Sequence, residues 1–200
     1  MKKLLIFFLL FPIFSQALDT SFNQIDTKLK HAELRLKQKV IEARNFIPIN
    51  GFNEDYIFLI DMSIPSGKKR FFVYSIKGDS IETSSLVAHG FGSDVGTDNL
   101  VFSNKINSYA TSLGRYEIGK SYMGKYGLSY RLSGLDSTNS NACVRNIVLH
   151  SDKAVSDVER YPYSAGFKSA GCPTVSPQFL KILSNYINNS KKPILMWILN

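Results

Sequence analysis

The chain of 200 residues contains only two cysteines, Cys143 and Cys172, so at most one disulfide can staple it. It has three histidines and no HExxH or similarly tight ligand pair, which argues against a built-in metal centre. A zinc site would have to combine His89, His150 and Asp94 or Asp98 from distant positions, and no metal is expected. Acidic residues are scarce: 16 Asp and Glu stand against 24 Lys and Arg, a formal charge of +8. The bases are spread along the chain with no RNA- or DNA-binding motif, so the balance points away from nucleic acid. Anionic surfaces such as phospholipid headgroups, teichoic acids or peptidoglycan carboxylates are the better match. Long apolar runs are missing too. After the first 17 residues no stretch is long and apolar enough to span a membrane, which takes about 20 residues.

What the N-terminus does have is the order of an export signal. Lys2 and Lys3 precede an apolar run over residues 4–14, and Ser15 and Ala17 place small residues three before and one before a cut after Ala17. Residues 1–17 are therefore expected to be a cleaved signal peptide, and the mature protein to be periplasmic or extracellular. No cysteine stands near the cut to take a lipid. Removing Lys2 and Lys3 lowers the formal charge from +8 to +6.

Apolar residues Phe22, Ile25, Leu29, Ala32, Leu36, Val40 and Ala43 recur every three or four positions, which predicts a helix over 21–44. Ser21 and Gln24 fit a capping box at its start, and Pro48 and Gly51 mark residues 45–54 as a linker. His31 lies among charged residues of this helix and is expected to be exposed. Strand-type runs follow at 56–62, 70–76 and 80–89, separated by turn-formers, with shorter ones at 116–118, 130–135, 144–150 and 194–199. Ser176 as N-cap and Pro177 in the first turn open a second helix, to about residue 190. The sum is a mainly β domain with a few helices, an α+β class.

Two chemistry-bearing residues stand out. His150 ends the apolar run Ile147, Val148, Leu149, and Cys172 follows 22 positions later, directly after Gly171. A thiol needs a base or cation to raise its thiolate fraction, and histidine is the usual supplier. A glycine before it allows a tight turn that brings N–H groups to an oxyanion. From count and compartment alone, a Cys143–Cys172 disulfide in a non-catalytic exported module competes with Cys–His catalysis.

The ordered set changes that balance. A strand ending in His150, then Ser169, Gly171 and Cys172, resembles the L,D-transpeptidase catalytic domain. So do Val87-Ala88-His89-Gly90, Ser112-Leu113-Gly114-Arg115-Tyr116, Tyr122-Met123-Gly124-Lys125-Tyr126-Gly127 and Arg131-Leu132-Ser133-Gly134-Leu135. The runs are similar to a bacterial branch described as murein L,D-transpeptidase catalytic-domain-like proteins. The resemblance covers residues 55–199 and implies three parts: signal peptide 1–17, helix and linker 18–54, catalytic domain 55–200. It implies a β-sandwich flanked by an N-terminal and a C-terminal helix. It also implies a cofactor-free cysteine acyltransferase acting on peptidoglycan stem peptides, or a hydrolytic L,D-carboxypeptidase with the same site. Cys172 would be the nucleophile and His150 the base. The Gly171 and Cys172 N–H groups would form the oxyanion hole, Ser169 would orient the site, and His89 would contact substrate. The chain departs from the pattern at Ala170, where many relatives have His or an aromatic residue. It departs again at Pro173, where they have Arg or Asn; Arg131 or Arg145 could take over that contact with the substrate carboxylate, but both are read as surface or structural charges and left out of the expected site.

Overall fold

Helix α1 (Phe11–Ile49) buries Ala32, Leu36, Val40, Ala43 and Ile47 along one stripe. Steps of three and four residues bring these side chains to one face, which packs on Ile57, Leu59, Tyr74, Leu195 and Leu199. The computed structural model describes residues 11–96 and 99–200, with side chains from residue 30 onward. Residues 1–10 of the expected export signal, and Asp98 of the weighed metal set, lie outside the described residues.

Two expectations for α1 need correction. The helix runs through Ser21, which therefore caps nothing, and it continues through residues 45–49 of the expected linker. Pro48 is tolerated because it stands in the last turn, where its missing N–H removes a single bond. The stop comes at Gly51, whose φ of 74° is open to glycine at no steric cost. The Gly51 N–H bonds Pro48 O (3.4 Å) and the Phe52 N–H bonds Ile47 O (3.1 Å). This is a Schellman ending, closed by Phe52 stacking on Phe46 at 5.8 Å.

The strands are β1 (Tyr56–Asp61), β2 (Phe71–Ser75), β3 (Ser80–Ser85), β4 (Gly114–Gly124), β5 (Gly127–Gly134), β6 (Val148–Ser151), β7 (Thr174–Val175) and β8 (Leu195–Leu199). They form one eight-stranded sheet in the order β3-β2-β1-β8-β4-β5-β6-β7. All neighbours are antiparallel except β1–β8 and β6–β7. Strand β1 is covered on both faces, which is why its run is continuously apolar rather than alternating. Ile57 and Leu59 face α1. Phe58 and Ile60 face the main core, with Phe179, Leu180 and Leu183 of α2 (Pro177–Asn188). The sequence placed the start of α2 correctly: Ser176 Oγ accepts the Phe179 N–H at 3.1 Å, with Pro177 in the first turn.

The mainly β, α+β expectation holds, and the two packed layers are parts of a single curled sheet. Beyond β3 the chain crosses to the far edge, where the Ala88 N–H bonds Thr174 O at 2.8 Å and Gly90 bridges Ser169. Closure of this kind satisfies edge groups that would otherwise lie open. It also shortens the expected 80–89 strand to Ser80–Ser85. Residues 144–147, expected as strand, are turn and lead-in, with Val144 exposed; β6 begins only at Val148. Strands β4 and β5 are longer than expected because they pair as one hairpin through Gly124 and Gly127. His31 is exposed, as expected.

Candidate active site

The turn carrying Cys172 is fixed by its own small residues. Ser169 Oγ accepts the Gly171 N–H (3.1 Å) and donates to Cys172 O. Gly171 sits at φ 113°, and a Cβ there would lie 2.8 Å from Ala110 O and 2.9 Å from a guanidinium nitrogen of Arg145. Both facts require glycine. Gly90 packs from the other side: a Cβ on it would come 2.8 Å from the Gly171 Cα and 2.2 Å from Tyr109 O. The Ser169 N–H bonds His89 O (2.9 Å), and the Phe91 N–H bonds Ser169 O (2.7 Å). The nucleophile turn is thus seated on the 88–91 segment that closes the sheet.

Cys172 is 9% exposed. Its Sγ accepts the N–H of Val148, the first residue of β6, at 3.4 Å and lies 3.8 Å from Asn146 O. Burial pushes the thiol pKa up; the Val148 N–H and the positive charges of Arg145 and Lys125 pull it back. Of the two N–H groups expected in an oxyanion hole, that of Gly171 is held by Ser169 Oγ. Among the described hydrogen bonds none uses the N–H of Cys172. Cys143 is exposed, and its thiol points at Leu132 O and Ser133 Oγ. Both cysteines are free thiols.

His150 sits on β6, two residues beyond Val148, paired with Thr174 of β7. Its Nδ1 lies 3.2 Å from Ser151 O and its Nε2 lies 2.9 Å from Thr174 Oγ1. Burial lowers its pKa, so the ring rests neutral. A carbonyl can only accept, which assigns the proton to Nδ1 and leaves the Nε2 lone pair on the Thr174 hydroxyl. Tyr126, at the tip of the β4–β5 hairpin, stacks on the ring at 4.4 Å. The described hydrogen bonds join the imidazole to Thr174, two residues from the nucleophile, rather than to Sγ.

His89 is 4% exposed. Its Nδ1 lies 2.9 Å from the guanidinium of Arg70, a fully buried side chain that also donates to Val87 O and Ile64 O. Burial first, then the Arg70 charge, depress the His89 pKa to about 4. Arg70 and His89 line a cleft of about 410 Å³ between the 62–67 and 161–164 turns. Among the described residues no group of three or more His, Cys, Asp or Glu could hold a metal ion.

Two participants escape the sequence reading, and a third, Arg145, enters it only as a substitute contact for the substrate carboxylate. The Val148 N–H carries no signal beyond lying in the expected 144–150 strand, and Thr174 lies in β7, which is not among the expected strands. Arg145 stands three residues before β6, and only the fold shows it beside Gly171. Its guanidinium donates to Ser103 O (2.8 Å), Ser112 Oγ (3.2 Å) and Ala110 O.

A family model described as the L,D-transpeptidase catalytic domain matches residues 28–197. No curated protein matches the chain. Among solved structures, it is similar to Bd1075 of Bdellovibrio bacteriovorus at 18% identity and TM-score 0.44, covering 73% of this chain and 48% of that one. The K307A mutant of the Campylobacter jejuni helical cell shape determining protein Pgp2 matches at 13% identity and TM-score 0.46, covering 74% and 48%. A Mycobacterium smegmatis L,D-transpeptidase matches at 11% identity and TM-score 0.44, covering 73% and 59%. The chain thus spans about half the length of the first two of these proteins. With the family model extending over most of its residues, the chain belongs to the L,D-transpeptidase catalytic-domain family.

Proposed function

We propose that the protein is an exported cysteine acyltransferase that remodels peptidoglycan stem peptides through a thioester on Cys172. One observation carries this reading. In a chain of this family, the only buried thiol sits on a glycine turn, accepts a backbone N–H, and stands two residues before Thr174, whose hydroxyl holds a neutral, base-competent histidine. Sγ attacks the carbonyl of the L-centred residue that precedes the terminal D-residue. A C–S bond forms, the amide C–N bond breaks, and the thiol proton leaves with the amine of the released D-amino acid. An amine of a second stem then attacks the thioester and the proton returns to sulfur; water in that role makes a carboxypeptidase.

His150 carries the proton in both half-reactions, its Nε2 moving from the Thr174 hydroxyl to the reacting atoms as the substrate complex tightens. The Cys172 N–H serves as oxyanion donor. Ser169 and Gly171 orient the turn, and His89 contacts substrate from the adjoining segment. Tyr126 covers the histidine as part of a lid.

Incubation with a tetrapeptide stem, followed by intact-mass analysis, tests the reading. The protein is expected to gain the mass of the stem less its terminal D-residue, and the Cys172→Ala variant to gain nothing. Adding a second stem and weighing the products identifies amine or water as acceptor. An adduct on the Cys172→Ala variant would overturn the assignment.

A further inference from the structure

The Cys172 thiol is buried, and the described hydrogen bonds do not join it to His150. Something else must favour its ionised form. The groups that act on it are the Val148 N–H from β6, Lys125 from the β4–β5 hairpin, Tyr116 from β4, and Arg145 from the turn before β6. Tyr116 bonds Ser112 and is far too weak an acid to ionise at neutral pH, its pKa pushed up to about 12. Lys125 is at the tip of a hairpin.

Arg145 differs from both. Three oxygens, Ser103 O, Ser112 Oγ and Ala110 O, hold its guanidinium in place, all of them neutral acceptors. Among the described residues its side chain forms no ion pair, so its charge is not spent on a carboxylate. The one turn that must keep a glycine against this guanidinium is the turn that carries the nucleophile.

We infer that Arg145 is a positioning residue for the thiolate: a fixed cation that, with the Val148 N–H, stabilises the Cys172 sulfur anion as the thiol gives up its proton to His150. His150 then passes that proton to the leaving amine. A preorganised charge in a site shielded from water costs no reorganisation when the thiolate forms. The inference rests on Cys172 being the nucleophile but needs no particular substrate, so it can fail while the peptidoglycan reading stands, and the reverse.

The test is the pH profile of Cys172 alkylation by iodoacetamide, read by intact mass in a Cys143→Ser background so that only one thiol reports. Arg145→Gln is expected to move the inflection upward by about one pH unit, an alkylation rate at pH 7 lowered about tenfold. Arg145→Lys, which keeps the charge but not the fork, is expected to restore most of the shift. Circular dichroism confirms the fold of each variant, and Arg145→Met, which retains the apolar stem, replaces Gln if that variant does not fold. An unchanged inflection without the charge would overturn the inference. Equal upward shifts in the Gln and Lys variants would overturn it too, by showing that the clamp to the three oxygens matters and the charge does not.

Discussion

Ser169 holds the nucleophile turn through a single hydroxyl that both accepts from Gly171 and donates to Cys172 O. Its removal leaves two buried backbone groups without that partner, at about 1–3 kcal/mol for each group left unsatisfied. Ser169→Ala is therefore expected to lower kcat by about tenfold or more with KM little changed, and to lower the urea midpoint; steady-state kinetics and equilibrium unfolding check both. Gly171→Ala should be worse, since the left-handed backbone and the contact with Ala110 O are both intolerant of a methyl group. The sequence showed Gly171 because a glycine before a cysteine has a recognisable chemistry, and Ser169 through the resemblance to the family's motif. It offered Arg145 only as a substitute carboxylate contact, because a cation in a turn looks the same whether it faces solvent or a thiol. It did not show that Gly171 spends its N–H on Ser169 rather than offering it to an oxyanion, which depends on one side-chain rotamer.

At the scale of elements, α1 is held by a narrow seam. Leu36 and Val40 are nearly fully buried against β1, β2 and β8, while residues on either side of them face outward. Leu36→Ala is expected to cost about 2–5 kcal/mol by removing buried methyl groups and leaving a cavity. Denaturant unfolding should show this as a lower midpoint. The proposed site lies in β6, the 169–172 turn, β7 and the 88–91 segment, so acyl-enzyme formation by the folded variant should persist. The apolar period makes this helix legible, but its end is expected at residue 44 instead of 49, because the Pro48 and Gly51 signals read as one linker. The stop is the Schellman geometry at Gly51, and Pro48 only passes through the last turn. Strand ends were misread for a different reason. The strand-type run extends through residue 89, yet the ladder with β2 stops at Ser85 because the chain must leave to close the sheet on Thr174. A local run of residues carries no information about a partner that lies nearly ninety positions away.

Across the whole molecule, the buried histidines tie stability to pH. His89 has a folded pKa of about 4 against an ordinary 6.5, and His150 is shifted in the same direction. The unfolded chain takes up these protons first as the solution is acidified. Stability is thus fully present above the ordinary histidine range and is lost as pH falls from about 6.5 toward 4, by at most about 1.4 kcal/mol per pH unit for each histidine. Urea midpoints at pH 7, 6 and 5 should fall in that order, and His89→Gln should flatten the decline. A rise in stability on acidification would contradict the buried neutral state of these rings.

The family, the curled sheet and the seat of Cys172 all lead to one central claim, that this thiol and not the exposed one performs acyl transfer. The most direct measurement is release of the terminal D-amino acid from a tetrapeptide stem by the wild type, Cys172→Ala and Cys143→Ser. The account predicts release by the wild type and Cys143→Ser at similar rates, and a loss of at least about a thousandfold in Cys172→Ala, the scale on which removing a covalent nucleophile acts. Undiminished release by Cys172→Ala would contradict it.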